Sequence, residues 1–151
     1  MYNKRLKELR DEPVNFIRQQ ELADLIGVHV SVFSKYEKET ALIPIEHLNT
    51  LCNYFNVSFD YIFEFTNKRN YPKYHKNMNS NLTSSRLKEL RKENNLTQEN
   101  LSDIIKIQQT TISKYESNKR QLSTQYLFAI CKEFHISADY LLGKTNKPKY
   151  F

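Results

Sequence analysis

The side chains able to do chemistry in this 151-residue chain crowd into one short stretch. Residues 98–120 hold Gln98, Gln108, Gln109, Thr110, Thr111, Lys114, Lys119 and Arg120. These are amide, hydroxyl and cationic groups, suited to hydrogen bonding and to holding anions rather than to breaking bonds. No Gly-rich phosphate loop, nucleophile–base motif or paired-cysteine metal site accompanies them. Ser58 with Asp60, and Ser137 with Asp139, read as helix caps rather than as a catalytic pair. His29, His47 and His75 have no metal-ligand spacing. Cys52 and Cys131 both sit in apolar helical stretches and read as free core thiols. The expectation is a protein without catalytic residues, metal or cofactor, acting by binding.

The elements that must position these groups are organised by an internal repeat. Arg5-Leu6-Lys7-Glu8-Leu9-Arg10 returns unchanged as Arg86-Leu87-Lys88-Glu89-Leu90-Arg91, and Ser34-Lys35-Tyr36-Glu37 returns as Ser113-Lys114-Tyr115-Glu116. At an offset of 79, positions 19–68 match 98–147 at 17 of 50 residues. The N-terminal hexapeptides need an offset of 81, so the first copy has two extra residues between Arg10 and Gln19. Pro72-Lys73-Tyr74 is echoed by Pro148-Lys149-Tyr150. A solenoid needs about three or more repeats, so two independently folding copies are expected. They should span 1–67 and 86–146, with a linker at 68–85 and a basic tail at 147–151.

Low Gly and Pro content, 2 and 4 residues, argues against a loop-rich β protein. Each copy reads as five short helices. In the second, Leu87, Leu90 and Arg91 mark helix 1 at i, i+3, i+4. Thr97 caps helix 2, with Leu101, Ile104 and Ile105 on one face. A turn at Lys106-Ile107 leads to helix 3, from Gln109 to about Glu116, which buries Ile112 and Tyr115. Ser117-Asn118-Lys119-Arg120 forms a basic loop. Ser123 caps helix 4, striped by Leu127, Ile130, Cys131 and Phe134, and Ser137 caps helix 5, which stops at Gly143. In the first copy Pro44 opens helix 4. Gly27 and Gly143 both stand at helix stops, where positive φ is often needed. Lys106 takes the turn position of Gly27, at roughly 1 kcal/mol for a non-Gly residue in the left-handed region.

Two short helices joined by a tight turn are the helix-turn-helix signature. Leu96-Thr97-Gln98-Glu99-Asn100-Leu101 through Ile112-Ser113-Lys114-Tyr115-Glu116 resembles the phage-repressor and Cro-like helix-turn-helix family of the xenobiotic-response-element type. Ile136-Ser137-Ala138-Asp139-Tyr140-Leu141-Leu142-Gly143 is similar to the closing helix of many such bacterial regulators. The resemblance covers about 5–67 and 86–146. It implies an all-α, lambda-repressor-like fold in tandem, and double-stranded DNA as partner. By this resemblance Gln109, Thr110 and Lys114 reach base edges, where Gln suits adenine, Lys suits guanine O6/N7, and Thr offers a hydroxyl or a methyl. Gln98, Gln108, Thr111, Lys119 and Arg120 contact phosphates. In the first copy Val30, Ser31 and Lys35 face bases, and Gln19 and His29 face phosphate. Arg91 with Glu116, and Arg10 with Glu37, are structural ion pairs tying helix 1 to helix 3. Phe33, Tyr36, Ile112 and Tyr115 are core.

Charge separates the copies. Residues 5–67 hold 6 Lys/Arg against 10 Asp/Glu, a balance of −4, whereas 86–146 hold 10 against 7, a balance of +3. Phosphate binding needs cations, so the second copy is the expected DNA reader. In the first, Glu39-Thr40-Ala41 replaces the basic loop, Arg18 replaces the capping Thr, and Pro13 reshapes the exit of helix 1. That copy is either a weaker reader with Val30 on thymine methyls, or a protein-contact module using Val30, Val32 and Leu42.

In the linker, Tyr71, Lys73, Tyr74, His75 and Lys76 suit a single strand or a minor groove, but a solvated connector is the simpler reading. Its 18 residues reach at most about 60 Å, enough to join major-groove entries about 34 Å apart. The expected function is a bacterial or phage transcriptional repressor that blocks polymerase. The alternative is a protein-binding adaptor: an antitoxin, antirepressor or phage inhibitor. A homodimer and a protein partner for the first copy are compatible with either. No membrane span or signal peptide is recognised, making the cytoplasm the default compartment.

Overall fold

A computed structural model describes residues 1–14 and 16–149. Among these residues the chain is all-α. It divides into two compact units, residues 1–72 and 73–149. Tyr150, with the last part of the Pro-Lys-Tyr echo, lies outside the described residues.

The first unit contains α1 (Asn3–Arg10), α2 (Gln19–Ile26), α3 (Val30–Glu37), α4 (Ile45–Phe55) and α5 (Phe59–Ile62). Its core joins Leu6, Leu9, Leu22, Phe33, Leu48, Leu51 and Phe59 from all five helices, and each is at most 1% exposed. The second unit contains α6 (Ser80–Glu93), α7 (Gln98–Ile105), α8 (Gln109–Glu116), α9 (Thr124–Phe134) and α10 (Ala138–Leu141). Leu87, Leu101, Ile112, Leu127, Ile130 and Leu141 form the corresponding core. Burying each such side chain stabilises the fold by roughly 1.5–3 kcal/mol. Cys52 and Cys131 are buried and form no disulfide among the described residues. Ile104 departs from the expected stripe and is 40% exposed. The i, i+4 pair Leu101 and Ile105 faces inward, and a 100° step per residue turns Ile104 off that line.

Five of the ten helices among the described residues start on a side-chain cap. Thr97 Oγ1 accepts from Asn100 N–H at 3.0 Å, and Asn100 Oδ1 accepts from Thr97 N–H at 3.1 Å. Ser58 and Ser137 accept from Tyr61 N–H at 3.0 Å and from Tyr140 N–H at 3.1 Å. Asp60 and Asp139 are not caps. Both are fully buried, and they accept from Tyr71 Oη at 2.6 Å and Tyr74 Oη at 3.0 Å. Ser123 stands at the N-cap of α9 without capping it, its Oγ buried and unpartnered. Pro44 sits at the N-cap of α4, one residue before the first helical position.

The segment between the copies differs from the connector expected at 68–85. Arg69 C=O accepts from Ser58 N–H at 2.6 Å, and Tyr71 is buried in the first unit. In the second unit, His75 N–H donates to Lys144 C=O and Asn79 N–H to Leu142 C=O, both at 2.8 Å. Asn79 then caps α6, which begins at Ser80, six residues before the repeat itself. Backbone bonds and tyrosine hydroxyls hold this stretch, and neither leaves an apolar periodicity to read. Far less loose chain than 18 residues separates the units.

The repeated Arg and Asn have a shared structural task. Arg5 lies over the Tyr61 ring at 4.6 Å and donates to Asn67 Oδ1 at 2.8 Å. Arg86 does the same with Tyr140 at 4.1 Å and Asn146 at 2.8 Å. Each clamp ties the first helix of its unit to the chain after the last.

The helix-turn-helix turns use two solutions to one backbone demand. Gly27 has φ 71°, and Lys106 has φ 56° and ψ 53°. Lys106→Gly removes a Cβ penalty from the left-handed region. It should raise the stability of the second unit by about 0.5–1 kcal/mol, read as a higher urea midpoint in residue-resolved NMR of the full chain. An unchanged or lower midpoint would show that this turn carries no strain.

Candidate nucleic-acid interface

Helix α8 buries Ile112 and Tyr115, three residues apart, against its unit. That orientation turns Gln109, Thr110, Ser113 and Lys114 into solvent. None of these four side chains has a hydrogen-bonding or ionic partner among the described residues, apart from backbone bonding of the helix. Gln108, at the N-cap, makes no capping bond, and Thr111 is half-buried beside it. Lys119 and Arg120 follow on an exposed loop and, among the described residues, enter no ion pair. Asn118 shapes that loop with φ 58°, and its amide donates to Asn81 Oδ1 at 2.9 Å. An open polar groove beside α8 is lined by Lys106, Gln108, Thr111, Arg120 and Gln125, with Asp103 as its one carboxylate.

A buried charge pair sets the angle of this helix. Arg91 Nε donates to Glu116 Oε1 at 2.6 Å, the two side chains being 12% and 3% exposed. Arg91 Nη1 also donates to Leu96 C=O at 2.8 Å, tying the approach to α7 into the same cluster. Gln98 donates to the other Glu116 oxygen, Oε2. The amide expected to point at phosphate therefore spends one of its two protons inside the protein. A buried carboxylate has more lone pairs than one guanidinium satisfies, which is why the glutamine turns inward.

The first unit repeats the cluster. Arg10 Nε and Nη2 donate to the two Glu37 oxygens, both at 2.9 Å, and Gln19 donates to Glu37 Oε1 at 3.2 Å. The hydrogen bonds to Glu37 push the Arg10 pKa further above its usual value. The exposed face of α3 differs from that of α8. Val30 and Val32 are half-buried, while Ser31 and Lys35 are exposed. His29 caps the helix, its Nδ1 accepting from Ser31 N–H at 3.2 Å.

Residues 5–68 match the Cro/C1-type HTH DNA-binding domain, and residues 87–141 match a helix-turn-helix family. The chain carries two helix-turn-helix domains in tandem, the first of the Cro/C1 type. A curated relative is an uncharacterized HTH-type transcriptional regulator, YobD, of Bacillus subtilis (strain 168). It is 33% identical over 63 residues, which cover 42% of this chain and 56% of the relative. No solved structure matches significantly. No helix among the described residues is long and apolar enough to cross a membrane.

Within this tandem helix-turn-helix chain, the first domain has put its loop to another use. Glu39 stands where Asn118 stands in the second, and its carboxylate accepts from Tyr2 N–H at 2.7 Å and Asn3 N–H at 3.1 Å. Burial opposes the charge, but those donors hold the Glu39 carboxyl below its usual range. The lost cationic loop is thus a cap for α1. Arg18 cannot accept a hydrogen bond, so only half a capping box forms, with Glu21 Oε2 accepting from Arg18 N–H at 2.8 Å. The two-residue insertion leaves Val14 90% and Phe16 62% exposed.

Proposed function

We propose that the chain is a sequence-specific transcriptional repressor that binds duplex DNA chiefly through α8, occupying a promoter and excluding polymerase. One observation carries this reading: among the described residues, the α8 face bears Gln109, Thr110 and Lys114 without internal partners, beside the equally unpaired Lys119 and Arg120. Exposed groups with unspent hydrogen-bonding capacity suit base edges, and the loop cations suit the flanking phosphates. Gln108 and Thr111 border the groove that Lys106 and Arg120 make cationic, so they take backbone contacts. Gln98 keeps one amide proton for a phosphate after bonding Glu116. In the first domain Val30, Ser31 and Lys35 face bases more weakly, and Gln19 and His29 face the backbone. The work is binding, without a cofactor, in the compartment that holds the DNA.

Selection from random duplex DNA with the full chain tests this reading. The expected result is a defined motif bound with a steep salt dependence. Replacing Lys119 and Arg120 together by Ala should flatten the log–log salt slope by roughly 2. Weak binding without sequence preference would overturn the proposal. The exposed Val14, Phe16 and Leu42 of the acidic first domain favour a second reading, in which that domain holds a protein partner. Recovery of no specific partner by the full chain from its host would sink it.

A further inference from the structure

The two domains differ at one hydroxyl on the base-facing side of their third helices. In the second domain Thr110 is exposed and its hydroxyl has no partner among the described residues, so it can donate or accept. In the first, the equivalent Ser31 has its Oγ 2.8 Å from His29 Nδ1. The same ring nitrogen accepts from Ser31 N–H at 3.2 Å. A nitrogen that accepts from a backbone N–H carries no proton, so the neutral imidazole holds its proton on Nε2. The only hydrogen available to the Ser31–His29 contact is then the serine's own. Ser31 donates it inward, and what it presents to solvent is its oxygen lone pairs.

We infer that the His29–Ser31 pair makes the first domain select a base with an exocyclic amino group on its major-groove edge, adenine or cytosine, at the position facing Ser31. Adenine N6 and cytosine N4 donate in that groove, whereas guanine N7 and O6 and thymine O4 only accept. An acceptor-only serine meets the first pair and opposes lone pair to lone pair with the second. Thr110 imposes no such polarity, because its hydroxyl rotates to suit either edge. The two halves of the operator therefore differ at this position, and the helix cap sets the difference, since Ser31 and Thr110 both offer a hydroxyl. His29 acts here as a positioning residue: its ring orients the hydroxyl, and its Nε2–H remains as a donor toward the backbone. The inference rests on the reading that the first domain touches DNA.

The test uses the full chain and its selected operator. The position facing Ser31 is the one whose base preference changes in Ser31→Ala. There the adenine is replaced by purine, or the cytosine by 2-pyrimidinone, each lacking the exocyclic amino group. The wild-type chain should lose roughly 5-fold in affinity, the worth of one hydrogen bond, and Ser31→Ala should be indifferent to the replacement. His29→Ala frees the hydroxyl, so guanine and thymine should become acceptable at that position while the second domain's motif stays unchanged. A wild-type preference for guanine or thymine there, or equal binding of the analogue, would overturn the inference. A motif for the second domain with none for the first would overturn it too and leave the repressor reading intact. Loss of sequence preference throughout would instead strike the repressor reading.

Discussion

Glu116→Ala should unfold the second domain while leaving the first folded. The substitution removes a carboxylate that is 3% exposed and strands Arg91, itself 12% exposed, without its partner. Breaking a buried pair by deleting one side costs about 3–5 kcal/mol, because the remaining charge stays desolvated. Gln98 loses its acceptor in the same step. The whole stability of a domain of this size is of the same order, roughly 4–11 kcal/mol at 0.05–0.15 per residue. Residue-resolved NMR during urea titration of the full chain should show the α6–α10 resonances collapsing at little or no urea. Those of α1–α5 should keep their midpoint, since Arg10 and Glu37 hold the first domain independently. Replacing both partners by apolar residues, Arg91→Met with Glu116→Leu, should recover most of the loss, because no charge is left buried. A loss below 1 kcal/mol for Glu116→Ala would mean that the pair behaves as a solvated surface contact.

Lys114→Ala carries the largest expected effect on binding. The side chain is exposed and unpaired among the described residues, so removing it should change stability by less than about 0.5 kcal/mol. If its ammonium reaches guanine O6 and N7, operator affinity falls by about 1–3 kcal/mol, roughly 5- to 150-fold, and discrimination at one base pair is lost. Lys119→Ala is the matched control. A phosphate contact should weaken all sequences alike and reduce the salt slope by about 1. Titration of the selected operator and its single-base variants separates the two. Unchanged affinity and unchanged preference in Lys114→Ala would remove that residue from the base-reading set.

Much of this architecture is visible without coordinates. The hexapeptide and Ser-Lys-Tyr-Glu repeats define the two copies, the spacing of Ile112 and Tyr115 tells which face of α8 is buried, and Thr97, Ser58 and Ser137 announce helix starts. Gly27 and Lys106 mark equivalent turns. These features depend on neighbours within about four residues, where helical geometry makes spacing equivalent to position. The charge difference between the domains is likewise a property of composition.

What escapes the sequence is the pairing of polar groups across the fold. Tyr71 and Tyr74 look like residues of a solvated connector until Asp60 and Asp139 are seen to accept from them, 11 and 65 residues away. Glu39 reads as a missing cation until it is found capping α1. That one of the two Gln98 amide protons goes to Glu116 is equally invisible in residue type. The hydroxyl polarity of Ser31 depends on a ring nitrogen two residues away, and nothing in residue type reveals its proton. Apolar burial is non-directional and leaves a periodic trace along the chain. A hydrogen bond is directional and joins whichever groups the packed helices bring within about 3 Å. The repeat, the helices, their buried faces and their local caps thus follow from residue order, whereas the destinations of Glu39, Tyr71, Tyr74 and Gln98 wait on the packing of distant segments.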